Sequence, residues 1–526
     1  MWQSRPCLSR LLIVVVLAIP LGLGVFFRVT HIDKKVYWWD ETYTFLSLSA
    51  TDPATLSPEW FGGREVSAAD ILVYQEICPE RGVSGTIRAL AATEAQQPPG
   101  YVLLAWLLGV SWGTTALPAR ILSVVFGLLI LPGMYWLCRE AFADRRAAWL
   151  GTVLVAASPV FFLYAQEARP YSLWALTIVL ASAALLRAAR TRTWQSWLLY
   201  GLLSVLGLYS HFLHVLVLLA QGTWIAARSL GMEAREDRSG RRLLSVFVGV
   251  AALALVLLLP WCRLTYLQRD RIAKETHWLT ESPACTYPEA WKDTLCHGLI
   301  DGWYDKYEFW WPPLNILHTI LLGVGALLFF WACRRDRAWL FAFLLIGVPF
   351  AALAGLDLLS GGQRSTQARY LFPCHVGIML AGVAVLLRLL ESPRRATRVV
   401  GRAAAVFLIA VALASTAVAW QADAWWNKGL GWTEELQAVH CINGSKHPLV
   451  LCGPIAESRV HDILELGHLL QPHVRFRVVA EPDQIDVPAE FTDVFLVNLS
   501  DEFRERVESR LRLERMSGKK FWHCCE

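Results

Sequence analysis

Eleven times along this chain a stretch of fifteen to twenty-two residues passes without a charged side chain: 11–27, 121–138, 147–165, 171–186, 196–210, 212–227, 243–262, 312–333, 339–356, 371–387 and 403–420. A hydrocarbon core about 30 Å thick takes about 20 helical residues to cross. Within it, only helices and closed barrels satisfy their own backbone groups. The stretches therefore predict an α-helical polytopic membrane protein with about 11 transmembrane helices, and a hydrophobic share of 55% agrees. A twelfth apolar run, Tyr101 to Trp112, is too short to cross and is expected to lie at the interface. The first stretch follows Arg5 and Arg10, which is also how a secretory signal begins. Phe26, Phe27 and Arg28 stand where a small-residue cleavage site would be, so a retained first span is expected.

Arginine orients such a chain, because cytoplasmic loops carry the excess. With a cytoplasmic N-terminus, the short cytoplasmic pieces hold 21 arginines, from Arg5 and Arg10 through Arg139, Arg235, Arg334, Arg335 and Arg337 to Arg402. The short external loops hold only Arg169, Arg364 and Arg369. Reading 196–227 as one helix would reverse the later loops, so two spans turning at Ser210-His211 are expected. The net charge of +5 is then a matter of topology, and no nucleic-acid partner is indicated. The 25 Trp and 14 Tyr suit two membrane interfaces, with some left to stack on sugar rings.

Residues 1–420 thus form a transmembrane unit with two large external loops, 28–118 (98–118 at the interface) and 263–311. Residues 421–526 form an external tail. In it, strand-like runs at 448–453, 474–480 and 493–498 alternate with helical patterns at 456–470 and 501–515, which predicts a small C-terminal α/β domain. Cys78, Cys285, Cys296, Cys441, Cys452, Cys524 and Cys525 fall on the external side, where oxidation is permitted. Cys285 and Cys296 could pair within their loop, or remain free thiols. No spacing matches a zinc site; no cofactor is expected, and dependence on a divalent metal is left open.

Asp40 and Glu41 follow the first span inside Val36-Tyr37-Trp38-Trp39, and carboxylates among aromatic rings become better proton acceptors near neutral pH. A solvated acid beside an aromatic belt is the plainer alternative. Gln166-Glu167-Ala168-Arg169-Pro170-Tyr171 stands at the outer end of the third span, His211 at that of the fifth, and Arg364 with Arg369-Tyr370 at the start of the tenth. Ionisable residues at membrane depth are costly and suggest function. For each arginine taken singly the alternative is snorkelling to lipid, and for His211 and His214 a contact between helices. A phosphate on a membrane lipid needs cations at headgroup depth, and arginine offers a bidentate fork.

In this order, Asp40-Glu41, Gln97-Pro98-Pro99-Gly100-Tyr101, Gln166 to Tyr171, Tyr209-Ser210-His211-Phe212 and Arg369-Tyr370-Leu371-Phe372-Pro373 resemble the C-type (GT-C) glycosyltransferases. Within these they are most similar to bacterial relatives of protein O-mannosyltransferases and of the lipid A aminoarabinose transferase. The resemblance covers residues 1–420 and not the tail. It implies a GT-C-like fold, a polyprenyl-phosphate sugar donor, and a lipid, glycan or protein acceptor at the outer face of a bacterial inner membrane. It also implies Asp40 as general base, Glu41 as its orienter or the acceptor's, and Arg169, Arg364, Arg369 and Tyr370 as the donor-phosphate site. Gln97, Gln166, Glu167, Tyr171 and His211 would bind substrate. Two departures bear on the acceptor: Gln97 stands where relatives often have His, and Tyr171-Ser172 replace an acid that some members carry. A ligase or polymerase of lipid-linked glycans would leave Asp40-Glu41 without a task. A transporter or flippase would need mid-membrane charges and matching halves, and the sequence has neither.

Overall fold

The expected spans become helices because no water competes for the i to i−4 ladder, and Pro20, Pro132, Pro260 and Pro349 stand inside helices without ending them. The computed structural model describes residues 5–52, 56, 64–112, 116–230, 238–283, 285–302, 311–333, 338–429, 432–453, 460–479, 490–497, 500–509, 512–516 and 521–525. In chain order the helices and first strand are α1 (Arg5–Val29), α2 (Trp39–Leu48), β1 (Glu65–Ser67), α3 (Ala68–Leu72), α4 (Gly82–Thr93), α5 (Gly100–Trp112), α6 (Ala116–Phe142), α7 (Arg145–Ala157) and α8 (Pro159–Leu163). There follow α9 (Tyr171–Thr191), α10 (Trp194–Ser210), α11 (His214–Leu230), α12 (Arg238–Leu267), α13 (Arg269–Glu275), α14 (Tyr287–Cys296), α15 (Trp311–Cys333), α16 (Ala338–Ser360), α17 (Phe372–Leu390) and α18 (Arg395–Gln421). Each of the eleven stretches falls on one of these helices or, for 147–165, on the α7–α8 pair. Among the described residues seven helices are long and apolar enough to cross a membrane, or eight if the bent α7–α8 pair is one span. In α1 the apolar part among residues with described side chains is Leu17–Val29, and α10 and α11 have 17 residues each. Arg235, Arg334, Arg335 and Arg337 lie outside the described residues.

The α7–α8 pair bends by 62°. Pro159 has no amide hydrogen to continue the ladder, so α7 leaves carbonyls unpaired at its end. Buried Arg28 donates to Val155 O at 2.9 Å and Ala156 O at 2.8 Å, and Thr416 Oγ1 donates to Ala157 O at 2.8 Å. The bend thus locks α1 and α18 to α7 and turns the 164–170 segment toward the end of α2. At the bundle centre α9 is buried nearly along its whole length. By contrast α12 and α15 expose Leu253, Leu257, Leu259, Ile316 and Leu327, the surface a lipid-facing helix needs.

The tail holds α19 (Trp432–Gly444), β2 (Pro448–Cys452), α20 (Val460–Leu469), β3 (Arg475–Val478), β4 (Asp493–Val497), α21 (Asp501–Glu508), β5 (Arg512–Arg515) and β6 (Phe521–Cys525). The sheet order is β1-β3-β2-β4-β6-β5. Strands β3, β2 and β4 are parallel, and β6 runs antiparallel to β4 and β5. The edge strand β1 comes from the first external loop and pairs antiparallel with β3, Val66 opposite Phe476. On one side of the sheet, Val450, Phe476 and Phe495 share a core with Ile463 and Leu464 of α20, Ile71 of α3 and Leu46 of α2. The tail is therefore packed onto α2.

One expectation is corrected and one open alternative is decided. The helix expected over 501–515 ends at Glu508, and Arg512–Arg515 is a strand because its backbone pairs with β6 and its charges face outward. Cys285 and Cys296 are both free: Cys285 is exposed, while Cys296 is buried with Sγ 3.7 Å from His318 O. Residues 456–459, 480, 498 and 510–511 of the expected tail elements lie outside the described residues.

Candidate active site

The first turn of α2 points its two carboxylates in different directions. Negative charge is favourable at a helix N-terminus, where amide hydrogens are unpaired. Glu41 turns inward and is fully buried. It accepts from Arg120 Nε (2.7 Å) and Nη2 (2.6 Å), from the Ala168 amide (2.9 Å) and from Lys428 Nζ (3.2 Å). Burial alone would raise its pKa, but Arg120 and Lys428 outweigh it and hold the carboxylate at about 2. Arg120 also donates to the carbonyls of Ile32, Lys35 and Val36, which fixes the strand of chain leading into α2.

Asp40 turns outward and keeps a fifth of its side chain exposed. Its Oδ2 lies 2.7 Å from Arg369 Nη1 and 3.9 Å from Arg169 Nε. Arg169 is buried and grips Glu94 through both terminal nitrogens, at 2.8 and 2.9 Å. It also donates to Asp40 O at 2.8 Å and Thr44 Oγ1 at 3.2 Å. Arg169 thus ties the end of α4 to the α2 backbone. Burial raises the Glu94 pKa, against the pull of Arg169.

Arg369 is the more accessible cation. Its guanidinium lies 5.3 Å from the Trp278 ring, 5.6 Å from Tyr370 and 5.9 Å from Tyr171, within cation–π range. Its Nε has no hydrogen-bond partner among the described residues. Behind it His211 stacks on Trp174 at 4.3 Å, with Tyr370 at 5.9 Å. Arg364 is turned to Asp357 Oδ1 and Gly361 O, both at 3.1 Å.

Glu167 is fully buried and accepts from Asn427 Nδ2, and its Oε2 has no partner among the described residues. Burial pushes its pKa up to about 8; Lys428 pulls against this, while Glu41 and Asp40 add to it. Gln166 is also buried, donating to Phe27 O at 3.0 Å and Thr30 O at 2.8 Å, which staples the end of α1. Gln97 is half-buried; its amide donates to Glu94 O at 2.7 Å and its Oε1 has no partner among the described residues.

The structure therefore brings Asp40, Glu41, Glu167, Arg169, Tyr171, Arg369 and Tyr370 together, with His211 behind them, and directs Arg364 and Gln166 to other partners. Sequence reasoning missed Glu94, Arg120, Trp278, Asn427 and Lys428. Arg120 carried a faint signal, a charge at the start of the second span; the other four sit in loops or the tail, where charge and aromatics are ordinary. Among the described residues no group of three His, Cys, Asp or Glu side chains is arranged to hold a metal ion.

Residues 96–263 match the family model of dolichyl-phosphate-mannose-protein mannosyltransferases. That stretch includes Gln97, Arg120, Glu167, Arg169 and His211, and excludes Asp40, Arg369 and Lys428. No curated protein sequence matches. Among solved structures, ArnT from Cupriavidus metallidurans in the apo state aligns with TM-score 0.51 at 13% identity, covering 98% of each chain. The Archaeoglobus fulgidus oligosaccharyltransferase in complex with Zn and sulfate aligns with TM-score 0.50 at 13% identity, covering 96% of this chain and 72% of that one. The chain spans 64% of the length of the apo form of the same archaeal protein. With its many apolar helices and this shared architecture, the chain is a multi-pass membrane protein with the fold of ArnT and of the archaeal oligosaccharyltransferase.

Proposed function

We propose that this protein transfers a sugar, of hexosyl or mannosyl type, from a polyprenyl-phosphate-linked donor to an acceptor on the extracytoplasmic face of a bacterial inner membrane. The N-terminus is cytoplasmic in this reading, and the tail lies on the same side as the site. The description of the matched family, a dolichyl-phosphate-mannose user, supports a lipid-phosphate donor. The observation that carries the reading is the 2.7 Å contact between Asp40 Oδ2 and Arg369 Nη1. In an inverting displacement the acceptor oxygen attacks the anomeric carbon and its proton passes to Asp40. The bond from that carbon to the phosphate oxygen breaks, and polyprenyl phosphate departs with the electron pair. This step needs a base at the acceptor oxygen and a guanidinium at the departing phosphate, so the Asp40–Arg369 contact opens to admit the donor between them.

Charge supports an anionic ligand. Asp40, Glu41 and Glu94 face Arg120, Arg169, Arg369 and Lys428, while Glu167, pushed up to about 8, stays protonated at neutral pH. Arg369, whose Nε has no partner among the described residues, is the cation placed to take a phosphate. A donor phosphate on Arg369 also competes for the guanidinium that covers Asp40, so donor binding exposes the base. Purified protein with radiolabelled polyprenyl-phosphate sugars tests this: wild type is expected to consume one donor, and Asp40→Asn to lose turnover by about 100-fold or more. Full turnover by Asp40→Asn would falsify the assignment of the base. Arg369→Ala is expected to raise the apparent donor constant.

A further inference from the structure

The run that follows the last span enters the ion cluster beneath Asp40. Trp425 and Trp426 both donate their indole N–H to Asp301 Oδ2, at 2.8 and 2.6 Å, and His297 stacks on Trp426 at 4.2 Å. So anchored, the chain turns its next two side chains inward. Asn427 donates to Glu167, and Lys428 Nζ reaches Glu41 Oε2 at 3.2 Å and Val36 O at 2.7 Å. Lys428 is buried, its ammonium lies 5.7 Å from the Trp38 ring, and its carbonyl accepts from Trp432 Nε1 at 2.7 Å.

Neutralising Glu41 does not by itself require Lys428, because Arg120 already binds both carboxylate oxygens. What Lys428 adds is a bridge. It joins the Glu41 side chain to the Val36 carbonyl, so the turn carrying Asp40 and the segment entering it are gripped from the tail side as Arg120 grips them from α6. Because Glu41 is the neighbour of Asp40 in the same turn, fixing the Glu41 side chain fixes the rotation of α2 and with it the direction of Asp40.

We propose that Lys428 is a positioning residue for Asp40, so that the first residues of the tail are a working part of the active centre and not a cap over it. This rests on the functional reading above. The full-length protein is compared as wild type, Lys428→Arg, Lys428→Met and Lys428→Gln, the last keeping a donor for Val36 O without the charge. Donor turnover and hydrogen–deuterium exchange of residues 36–48 are measured on each. Lys428→Met and Lys428→Gln are expected to lower kcat by about 10-fold or more with donor KM little changed, and to exchange faster over 36–48. Lys428→Arg is expected to restore both. A wild-type kcat in the Met or Gln variant, or a loss confined to KM, overturns the proposal. Should wild type consume no donor, the functional reading fails instead. The exchange measurement then decides the role of Lys428: unchanged protection over 36–48 rejects it, and faster exchange repaired by arginine upholds it.

Discussion

At the scale of single residues, the pair Asp40-Glu41 divides its labour by burial. Glu41 has four donors and is fully buried, and Asp40 has one close guanidinium and an open side. Removing Arg120 would leave a buried carboxylate short of its main partner, a loss of about 3–5 kcal/mol in comparable buried pairs. Arg120→Met is therefore expected to lower the melting temperature in detergent markedly and to abolish turnover. Glu167 gives a pH signature of opposite sign to an ordinary salt-bridged acid. Its folded pKa of about 8 lies above the ordinary glutamate value of 4.5, so the folded state holds a proton that the unfolded state releases. Stability from this group is complete below about 4.5 and is lost as pH rises to about 8. Melting curves between pH 5 and 9 should show wild type weakening as pH rises and Glu167→Gln weakening less; parallel curves would contradict the assignment. The outward groups of the site were legible in the sequence, because Asp40, Arg169 and Arg369 are charges beside apolar spans. Their supports were not, because Glu94, Asn427 and Lys428 sit in polar segments where charge carries no signal until the fold closes.

At the scale of elements, the site depends on close approach between helices. Gly100 opens α5, and a Cβ there would lie 2.6 Å from Tyr209 O, a backbone atom that cannot swing away. Gly100→Ala is thus expected to push α5 from α10, with a loss of about 1–3 kcal/mol, read as a lower melting temperature alongside weakened turnover. An unchanged melting temperature would mean that the approach is not tight in solution. The helices themselves were readable from apolar run length, including the break at Ser210-His211. What run length does not report is the 62° bend at Pro159, whose stability comes from Arg28 and Thr416, far away in the chain. Nor does it report β1: three residues in a loop have no periodicity to read, and β1 is a strand only because β3 lies beside it.

At the scale of the whole molecule, the tail and the first external loop form one body with α2. Leu46 of α2 is fully buried in the core that holds Val450, Phe476 and Phe495. A chain ended after residue 429 keeps Lys428 but strips that cover, and is expected to lose turnover and to elute as aggregate in size-exclusion chromatography. An active, monodisperse truncation would show the tail to be dispensable. The stitch between Glu65 and Arg477 joins residues 412 apart, across every apolar helix of the bundle after α1. During synthesis, then, the loop that bears Asp40 is made early yet stays unfinished until the final hundred residues appear, because only they bring the strand that β1 pairs with and the core that covers α2.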